Sequence, residues 1–154
     1  MAPASAISSI LLAVDHVGIA VPDMDAGLAF HTEVLGLELR SRERNDDQGV
    51  EEAMLAPPGA PAGTTSIQLL APLGEASPLA RFLDRSGPGL QQLAYRVKDL
   101  GLATTLLQGR GIRLIYDSGR RGTNGTLINF VHPKDSGGVL IELVEMPLEP
   151  GRGE

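Results

Sequence analysis

The sequence predicts an α+β fold made of two similar modules, each with one strand, one helix and about three further strands. The first observation is an internal repeat: HVGIAVPDMDAGLAF, starting at His16, resembles QLAYRVKDLGLATTL, starting at Gln92. The second is a matching pair of later strands, SIQLLAP around Gln68 and LIELVEM around Glu142, at nearly the same spacing. The third is the alternation of apolar and polar residues within these stretches, which is typical of half-buried strands. Two matched pairs at nearly equal spacing favour duplication over chance similarity.

Each module has a predicted helix directly after its first strand. The helix of the first module is predicted over about 24–35 and that of the second over about 100–109. Asp23 and Asp99 precede them as N-caps, because a carboxylate accepts the free amide hydrogens of a first helical turn. Between the modules, the stretch EASPLARFLDRSGPG predicts a short helix capped by Ser77.

These elements predict a single domain over residues 12–146. A length of 154 residues suits one domain, or two small modules that share a core. The predicted order is an N-terminal extension, module one, a connecting helix, module two and a C-terminal extension: 1–11, 12–73, 76–87, 88–146 and 147–154.

The composition excludes several functional classes. The chain has no cysteine, which rules out disulfides, zinc fingers and thiol nucleophiles and makes the reducing cytoplasm the expected location. A net charge of −6 argues against non-specific binding to nucleic acid or to anionic membranes. An aromatic content of 3% argues against a surface for base stacking. The apolar stretch AISSILLAV is much shorter than the about 20 residues that a membrane-spanning helix needs.

Each of four predicted strands carries one polar group opposite its apolar residues. Because side chains alternate across a strand, the apolar residues can pack against helices while the polar group points the other way. The four polar groups are His16, Gln68, Gln92 and Glu142. They occupy corresponding places in the repeat, so a pseudo-twofold arrangement of the modules would bring them together in one cleft.

A fifth candidate lies in the stretch QGVEEAMLA. Val50, Glu52 and Met54 share one strand face, so Glu52 is a carboxylate between two apolar neighbours. If that face is buried, desolvation raises the pKa of Glu52 and makes it a competent base near neutral pH. If that face is solvated, Glu51 points inward instead, and alternation alone leaves both arrangements open.

Together these residues resemble the vicinal oxygen chelate superfamily (glyoxalases, bleomycin-resistance proteins and dioxygenases), and within it the methylmalonyl-CoA epimerases. The matching segments follow one another over nearly the whole chain: DHVGIAVPD, QGVEEAMLAPPG, IQLLAPLGEASPLARFL, GLQQLAYRVKDL, GIRLIYD and GTNGTLINFVHPKDSGGVLIELVE. The resemblance implies that two tandem βαβββ modules form an open, cupped, mixed β-sheet with helices on the outside. It also implies a homodimer.

The resemblance further implies a metal-assisted isomerase that removes and returns the proton at C2 of methylmalonyl-CoA. A divalent ion (Co, Mn, Mg or Ni) would be held at four positions: His16, Gln68, Gln92 and Glu142. Glu52 and Glu142 would be the two proton-transfer groups, and the expected partner is a small acyl thioester, a CoA ester. Weaker matches place His132 and Lys134 near the substrate.

Gln92 departs from the family pattern, which reads Gly-Leu-His-His there and supplies a metal ligand with its second histidine. Imidazole suits Co, Ni and Zn, whereas an amide oxygen is a harder ligand that suits Mg or Mn. The replacement predicts weaker affinity or an altered metal preference, and it leaves two alternative functions open. One is another reaction on an acyl substrate, such as a cyclisation or an elimination in a biosynthetic pathway. The other is non-catalytic binding of a small molecule.

Overall fold

The computed structural model describes residues 7–148, so the outer parts of both predicted extensions lie outside the described residues. The chain divides into two compact units. Residues 15–92 form one unit, and the described residues before Asp15 and after Gln92 form the other. The predicted extent of a single domain, 12–146, stays a prediction.

The unit of residues 15–92 contains parallel and antiparallel strand pairs in the order β2-β3-β4-β1. Strand β1 pairs with β4 in parallel, whereas β3 pairs with both β4 and β2 in antiparallel fashion. The bounds of its elements, in chain order, are β1 (Leu11–Ala20), α1 (Met24–Ala29), β2 (Glu38–Asn45), β3 (Val50–Ala56), β4 (Ser66–Pro72) and α2 (Pro78–Ser86). The first residues of β1 belong to the other unit.

The second unit has the same succession of elements. Its strand order is β5-β8-β7-β6, with β5 parallel to β8 and with antiparallel pairs from β8 to β7 and from β7 to β6. The bounds are β5 (Gly89–Val97), α3 (Leu100–Gly109), β6 (Arg120–Arg121), β7 (Leu127–Val131) and β8 (Ile141–Glu145). The residues of β5 up to Gln92 belong to the unit of residues 15–92. Short 3-10 turns lie at Ile7–Ser9, Thr123–Gly125 and Pro133–Asp135. The predicted α+β class with two βαβββ modules and a mixed β-sheet is confirmed.

The helix starts follow the predicted caps. Oδ1 of Asp23 accepts a hydrogen bond from the amide of Ala26 at 3.1 Å, and Oδ1 of Asp99 accepts from the amide of Leu102 at 2.9 Å. Ser77 caps α2 in the same way. None of the helices within residues 7–148 is long and apolar enough to cross a membrane.

The helix predicted over 24–35 has two parts. Helix α1 ends at Ala29, and the chain continues as a π-helical turn, Phe30–Val34. In this turn the amide of Leu35 donates to the carbonyl of Phe30, which is the wider spacing of a π-helix. The Nδ1 atom of His31 lies 2.8 Å from the carbonyl oxygen of Gly27, so its ring competes for a helix carbonyl. Helix start and stop signals do not encode such a widening.

The core of residues 15–92 decides which strand faces are available for a site. Met24 and Leu28 of α1 pack on Leu55, Leu69 and their neighbours in β3 and β4, all of which are buried. Because side chains alternate, the residues next to these apolar ones in sequence point to the opposite face of the strands. Gln68, next to Leu69, is on that opposite face.

Removal of the Asp99 cap is expected to destabilise the protein by about 1 kcal/mol, because Asp99→Ala leaves the first-turn amide of Leu102 without its acceptor. For a chain of this size the melting temperature should fall by about 3 °C, as measured by circular dichroism. Asp99→Asn is the matched control, since asparagine caps helices about as well as aspartate. Equal losses in both variants would show that the charge of Asp99, and not its capping hydrogen bond, stabilises α3.

Candidate active site

Three of the four predicted ligand side chains meet within the unit of residues 15–92. The side-chain nitrogen of Gln92, Nε2, lies 3.1 Å from Oε1 of Gln68 and 3.4 Å from Nε2 of His16. The first distance is a normal hydrogen bond and the second is a weak one. All three residues are buried, with exposed fractions of 2% for Gln68, 3% for His16 and 9% for Gln92.

Strand register brings Gln68 to His16. In the parallel pair of β1 and β4, Gly18 lies beside Gln68. His16 precedes Gly18 by two residues and therefore shares its strand face. Gln92 comes from the first half of β5, and its Cγ atom lies close above Gly18. The amide of Gln92 thus reaches both neighbours by crossing a residue without a side chain.

Asp15 fixes the tautomer of His16. Its Oδ2 atom lies 2.7 Å from Nδ1 of His16, and Asp15 is itself buried. A carboxylate only accepts hydrogen bonds, so the ring carries a proton on Nδ1, and in its neutral form it keeps a lone pair on Nε2. This pairing is typical of histidines that bind metals, where the carboxylate orients the ring and raises its basicity. Nε2 then accepts from the Gln92 amide.

Glu52, and not Glu51, is the buried carboxylate of β3. Glu52 is 6% exposed and lies opposite Leu70 of β4 in the antiparallel register. Glu51 is partly exposed and pairs with the guanidinium of Arg42 on the neighbouring strand. The structure thus resolves the alternative that the sequence left open. In the β2–β3 register Glu52 lies opposite Glu43, so a second carboxylate stands on the same strand face.

Glu142 belongs to the other compact unit. It is 6% exposed at the second position of β8, where its register partners are Ala94 of β5 and Phe130 of β7. A carboxylate buried at this depth needs partners that stabilise its charge.

The donor atoms of His16, Gln68 and Gln92 fit a divalent ion. Nε2 of His16 and Oε1 of Gln68 direct lone pairs at one atom, Nε2 of Gln92, which presents partly positive N–H groups to both. A half-turn of the Gln92 amide would present its oxygen on this side, giving a donor set of one imidazole nitrogen and two amide oxygens. Such a mixed set suits Mg, Mn or Co. Within residues 7–148 no group of three or more His, Cys, Asp or Glu side chains is placed to hold a metal, so any site here depends on the amides.

A sequence profile of the Glyoxalase/Bleomycin resistance protein/Dioxygenase superfamily matches residues 15–130. The chain belongs to this superfamily. The matched segment contains His16, Glu52, Gln68 and Gln92. The superfamily assignment that the sequence predicts is therefore confirmed.

Within the superfamily the chain is similar to methylmalonyl-CoA epimerases. An ethylmalonyl-CoA/methylmalonyl-CoA epimerase of Cereibacter sphaeroides is 36% identical over 134 residues, which are 86% of this chain and 96% of the relative. The crystal structure of methylmalonyl-CoA epimerase from Mycobacterium tuberculosis superposes with a TM-score of 0.86 at 50% identity, over 96% of this chain and 94% of that one. A variant of Streptomyces coelicolor methylmalonyl-CoA epimerase in complex with 2-nitronate-propionyl-CoA superposes with a TM-score of 0.85 at 37% identity, over 90% of this chain and 99% of that one. The predicted resemblance to these epimerases is confirmed.

The two weaker substrate candidates lie in a tight turn after β7. The ring of His132 accepts a hydrogen bond from the amide of Lys134 and so caps the 3-10 turn Pro133–Asp135. Hydrogen bonds from the side chain and the amide of Arg113 fix Asp135 and hold its pKa well below the usual range. His132 therefore has a structural role, and the side chain of Lys134 is exposed. Substrate binding by either residue stays a prediction.

Sequence reasoning missed Asp15 and Glu43. Asp15 precedes His16 in the stretch AVDHVGIAV, and an Asp-His pair at the start of a polar strand face is the signal that would have found it. Glu43 has no comparable signal, because its position opposite Glu52 depends on the irregular β2–β3 register, which shifts between Leu39 and Ser41.

Proposed function

We propose that this chain is an isomerase of the methylmalonyl-CoA epimerase type, which moves the C2 proton of a malonyl-type thioester. The observation that supports the proposal best is the burial of Glu52 in the same compact unit as the cluster of His16, Gln68 and Gln92. A carboxylate is costly to bury, and titratable groups in buried positions are frequent at functional sites, so the burial of Glu52 fits a chemical role. The similarity to epimerases at up to 50% identity supports the same reaction.

The proposed role of Glu52 is to abstract the C2 proton. That proton lies between a thioester carbonyl and a carboxylate and leaves as negative charge develops on the thioester oxygen. Burial raises the pKa of a carboxyl group because desolvation disfavours its charged form. A base with a raised pKa holds the abstracted proton well enough to act near neutral pH.

Inversion at C2 requires a second group that supplies a proton from the other face of the substrate. We propose Glu142 for this role, as the family resemblance implies. Its burial, 6% exposed in β8, supports a functional carboxylate over a solvated one. Epimerisation in both directions requires each carboxylate to act as base for one configuration and as acid for the other.

The polar cluster would bind and orient the substrate oxygens. His16, Gln68, Gln92 and Glu142 are the proposed ligands of a divalent ion (Co, Mn, Mg or Ni), which when bound stabilises the negative charge on the thioester oxygen. The chain's own contribution is to hold His16, Gln68 and Gln92 in place before the substrate arrives. It does so through the Asp15–His16 and Gln92–Gln68 hydrogen bonds. Preorganised polar groups of this kind need no rearrangement at the moment of reaction.

Proton exchange tests the proposal. Purified protein is incubated with methylmalonyl-CoA in deuterium oxide, with Co, Mn, Mg or Ni added separately and with a chelator in a parallel sample. Deuterium should enter C2, as followed by mass spectrometry, and the rate should depend on the metal. No exchange with any of the four metals would contradict the proposal.

Restoring the family histidine separates this function from a repurposed one. Gln92→His should raise the affinity for Co or Ni, because imidazole is the softer ligand, and should increase the rate of C2 exchange. If the site instead catalyses a cyclisation or an elimination, or only binds a small molecule, Gln92→His should gain metal affinity and still show no exchange of the C2 proton.

The remaining expectations are part of the proposal. A CoA ester is the proposed form of the substrate, and carrier-protein delivery is the alternative that exchange assays with both thioesters would separate. A homodimer is implied by the resemblance, and static light scattering measures it directly. The cytoplasmic location predicted from the absence of cysteine can be tested by cell fractionation.

A further inference from the structure

Gly18 lies at the centre of the polar cluster. It shares a strand face with His16 in β1 and stands beside Gln68 in the parallel register. A Cβ atom at this position would come within 2.4 Å of Cγ and 3.2 Å of Cδ of Gln92. Since Cβ atoms essentially never approach another heavy atom closer than 3.0 Å, a side chain at Gly18 and the present course of Gln92 exclude each other.

Glycine is not needed here for its backbone freedom. Gly18 is absent from the glycines with positive φ, so an alanine would find an ordinary strand conformation. What the position lacks is space, and the nearest obstacle is the lower part of the Gln92 side chain. The Leu70 methyl at 3.2 Å is the end of a flexible side chain and can give way.

The obstructing atom determines the consequence. Cγ of Gln92 is one bond from its Cβ, so it moves only if the whole side chain swings to another rotamer. Such a swing takes the amide away from Oε1 of Gln68 and Nε2 of His16, now 3.1 and 3.4 Å from it. The lone pairs of both residues would then lose the group that joins them.

We infer that Gly18 is a positioning residue, whose missing side chain lets Gln92 cross β1 and join His16 to Gln68. This inference rests on the proposed function only in so far as the cluster serves the reaction. Any residue larger than glycine at this position should displace the Gln92 amide and, with it, the set of lone pairs offered to a cation or substrate.

A double-mutant cycle tests whether a side chain at position 18 is excluded by the side chain of Gln92. Gly18→Ala should lower the melting temperature by at least about 3 °C, the effect of an overpacked core position in a chain of this size. In the Gln92→Ala background, where Cγ and Cδ are gone, the same change should cost less than about 1 °C. Equal losses in both backgrounds would overturn the inference. If Gly18→Ala alone fails to fold, recovery of folding in the double variant supports the inference and failure of both contradicts it.

A spectroscopic readout separates positioning from general packing. The side-chain NH₂ signals of Gln92 are assigned by their loss in Gln92→Ala. They should shift in Gly18→Ala, whereas a packing defect elsewhere in the protein would leave them unchanged. Gly74→Ala is the matched control, because its Cβ would meet nothing within 4 Å and its φ is not positive. Unchanged Gln92 signals in Gly18→Ala would overturn the inference. Absence of C2 exchange would contradict the proposed function, but it would not change the result expected from the double-mutant cycle of Gly18 and Gln92.

Discussion

Glu52→Gln is expected to reduce the rate of C2 proton exchange by about two to four orders of magnitude, the usual contribution of a positioned acid or base. Glutamine has nearly the same shape as glutamate but takes up no proton at neutral pH. Glu52 is 6% exposed, so bulk water is a poor substitute for the lost base. The rate is measured by deuterium incorporation at saturating methylmalonyl-CoA, so that a change in substrate affinity does not contribute.

Glu51→Gln is the matched control for this variant. It makes the same chemical change one residue earlier in β3, where the carboxylate is partly exposed and pairs with Arg42. An exposed ion pair of this kind contributes at most about 1 kcal/mol, so exchange should stay close to the wild-type rate. Retention of exchange in Glu52→Gln, or equal loss in both variants, would contradict the assignment.

Alternation and capping predict much of this fold because both are local effects. The carboxylates of Asp23 and Asp99 reach amides three residues away, so their capping roles need no knowledge of the tertiary structure. Gln68 faces away from Ile67 and Leu69 for an equally local reason, the period of two in a strand. The internal repeat then places corresponding polar residues at corresponding points of both modules.

The parts that the sequence left open depend on packing between distant segments. Alternation gives two faces of β3 but does not say how deeply the side chains on each face are buried. Ala53 and Leu55 pack in the cluster with α1, and they share the strand face of Glu51. Glu52 is on the other face, where Val50 and Leu70 are buried with Leu79 of α2. Both faces of β3 therefore carry buried residues, and Glu51 differs from Glu52 in being partly exposed and paired with Arg42 of the neighbouring strand.

Strand alternation does not predict the contact between Asp15 and His16, although the Asp-His pair itself stands in the sequence. Neighbouring residues in a regular strand point to opposite faces, so alternation argues against a contact between their side chains. Nevertheless Oδ2 of Asp15 lies 2.7 Å from Nδ1 of His16. The lack of space for a side chain at Gly18 is likewise not readable from the local sequence, because it depends on Gln92 of β5, which lies far away in the chain.

Asp15→Asn is expected to lower the affinity for a divalent ion by about 10- to 100-fold, the usual effect of removing a partner of a metal-binding histidine. A carboxylate accepts the Nδ1–H of His16 in a charge-assisted hydrogen bond, which is roughly twice as strong as the bond to a neutral amide. Asparagine therefore leaves Nε2 a poorer lone-pair donor, and in its other orientation its NH₂ group favours the tautomer that has the proton on Nε2. Calorimetric titration with Co measures the affinity, and ¹⁵N shifts of the His16 ring report the tautomer.

Asp23→Asn is the matched control, because it makes the same change of charge and shape at a helix cap, where asparagine is equally suitable. It should bind Co with wild-type affinity and keep the wild-type His16 spectrum. Equal affinities for Asp15→Asn and the wild type would show that metal binding does not depend on the orientation of His16 by Asp15. A shifted His16 tautomer without a loss of affinity would place the ion elsewhere in the cluster. The carboxylate next to His16 thus decides whether this imidazole faces the cluster as a lone-pair donor or as a proton donor.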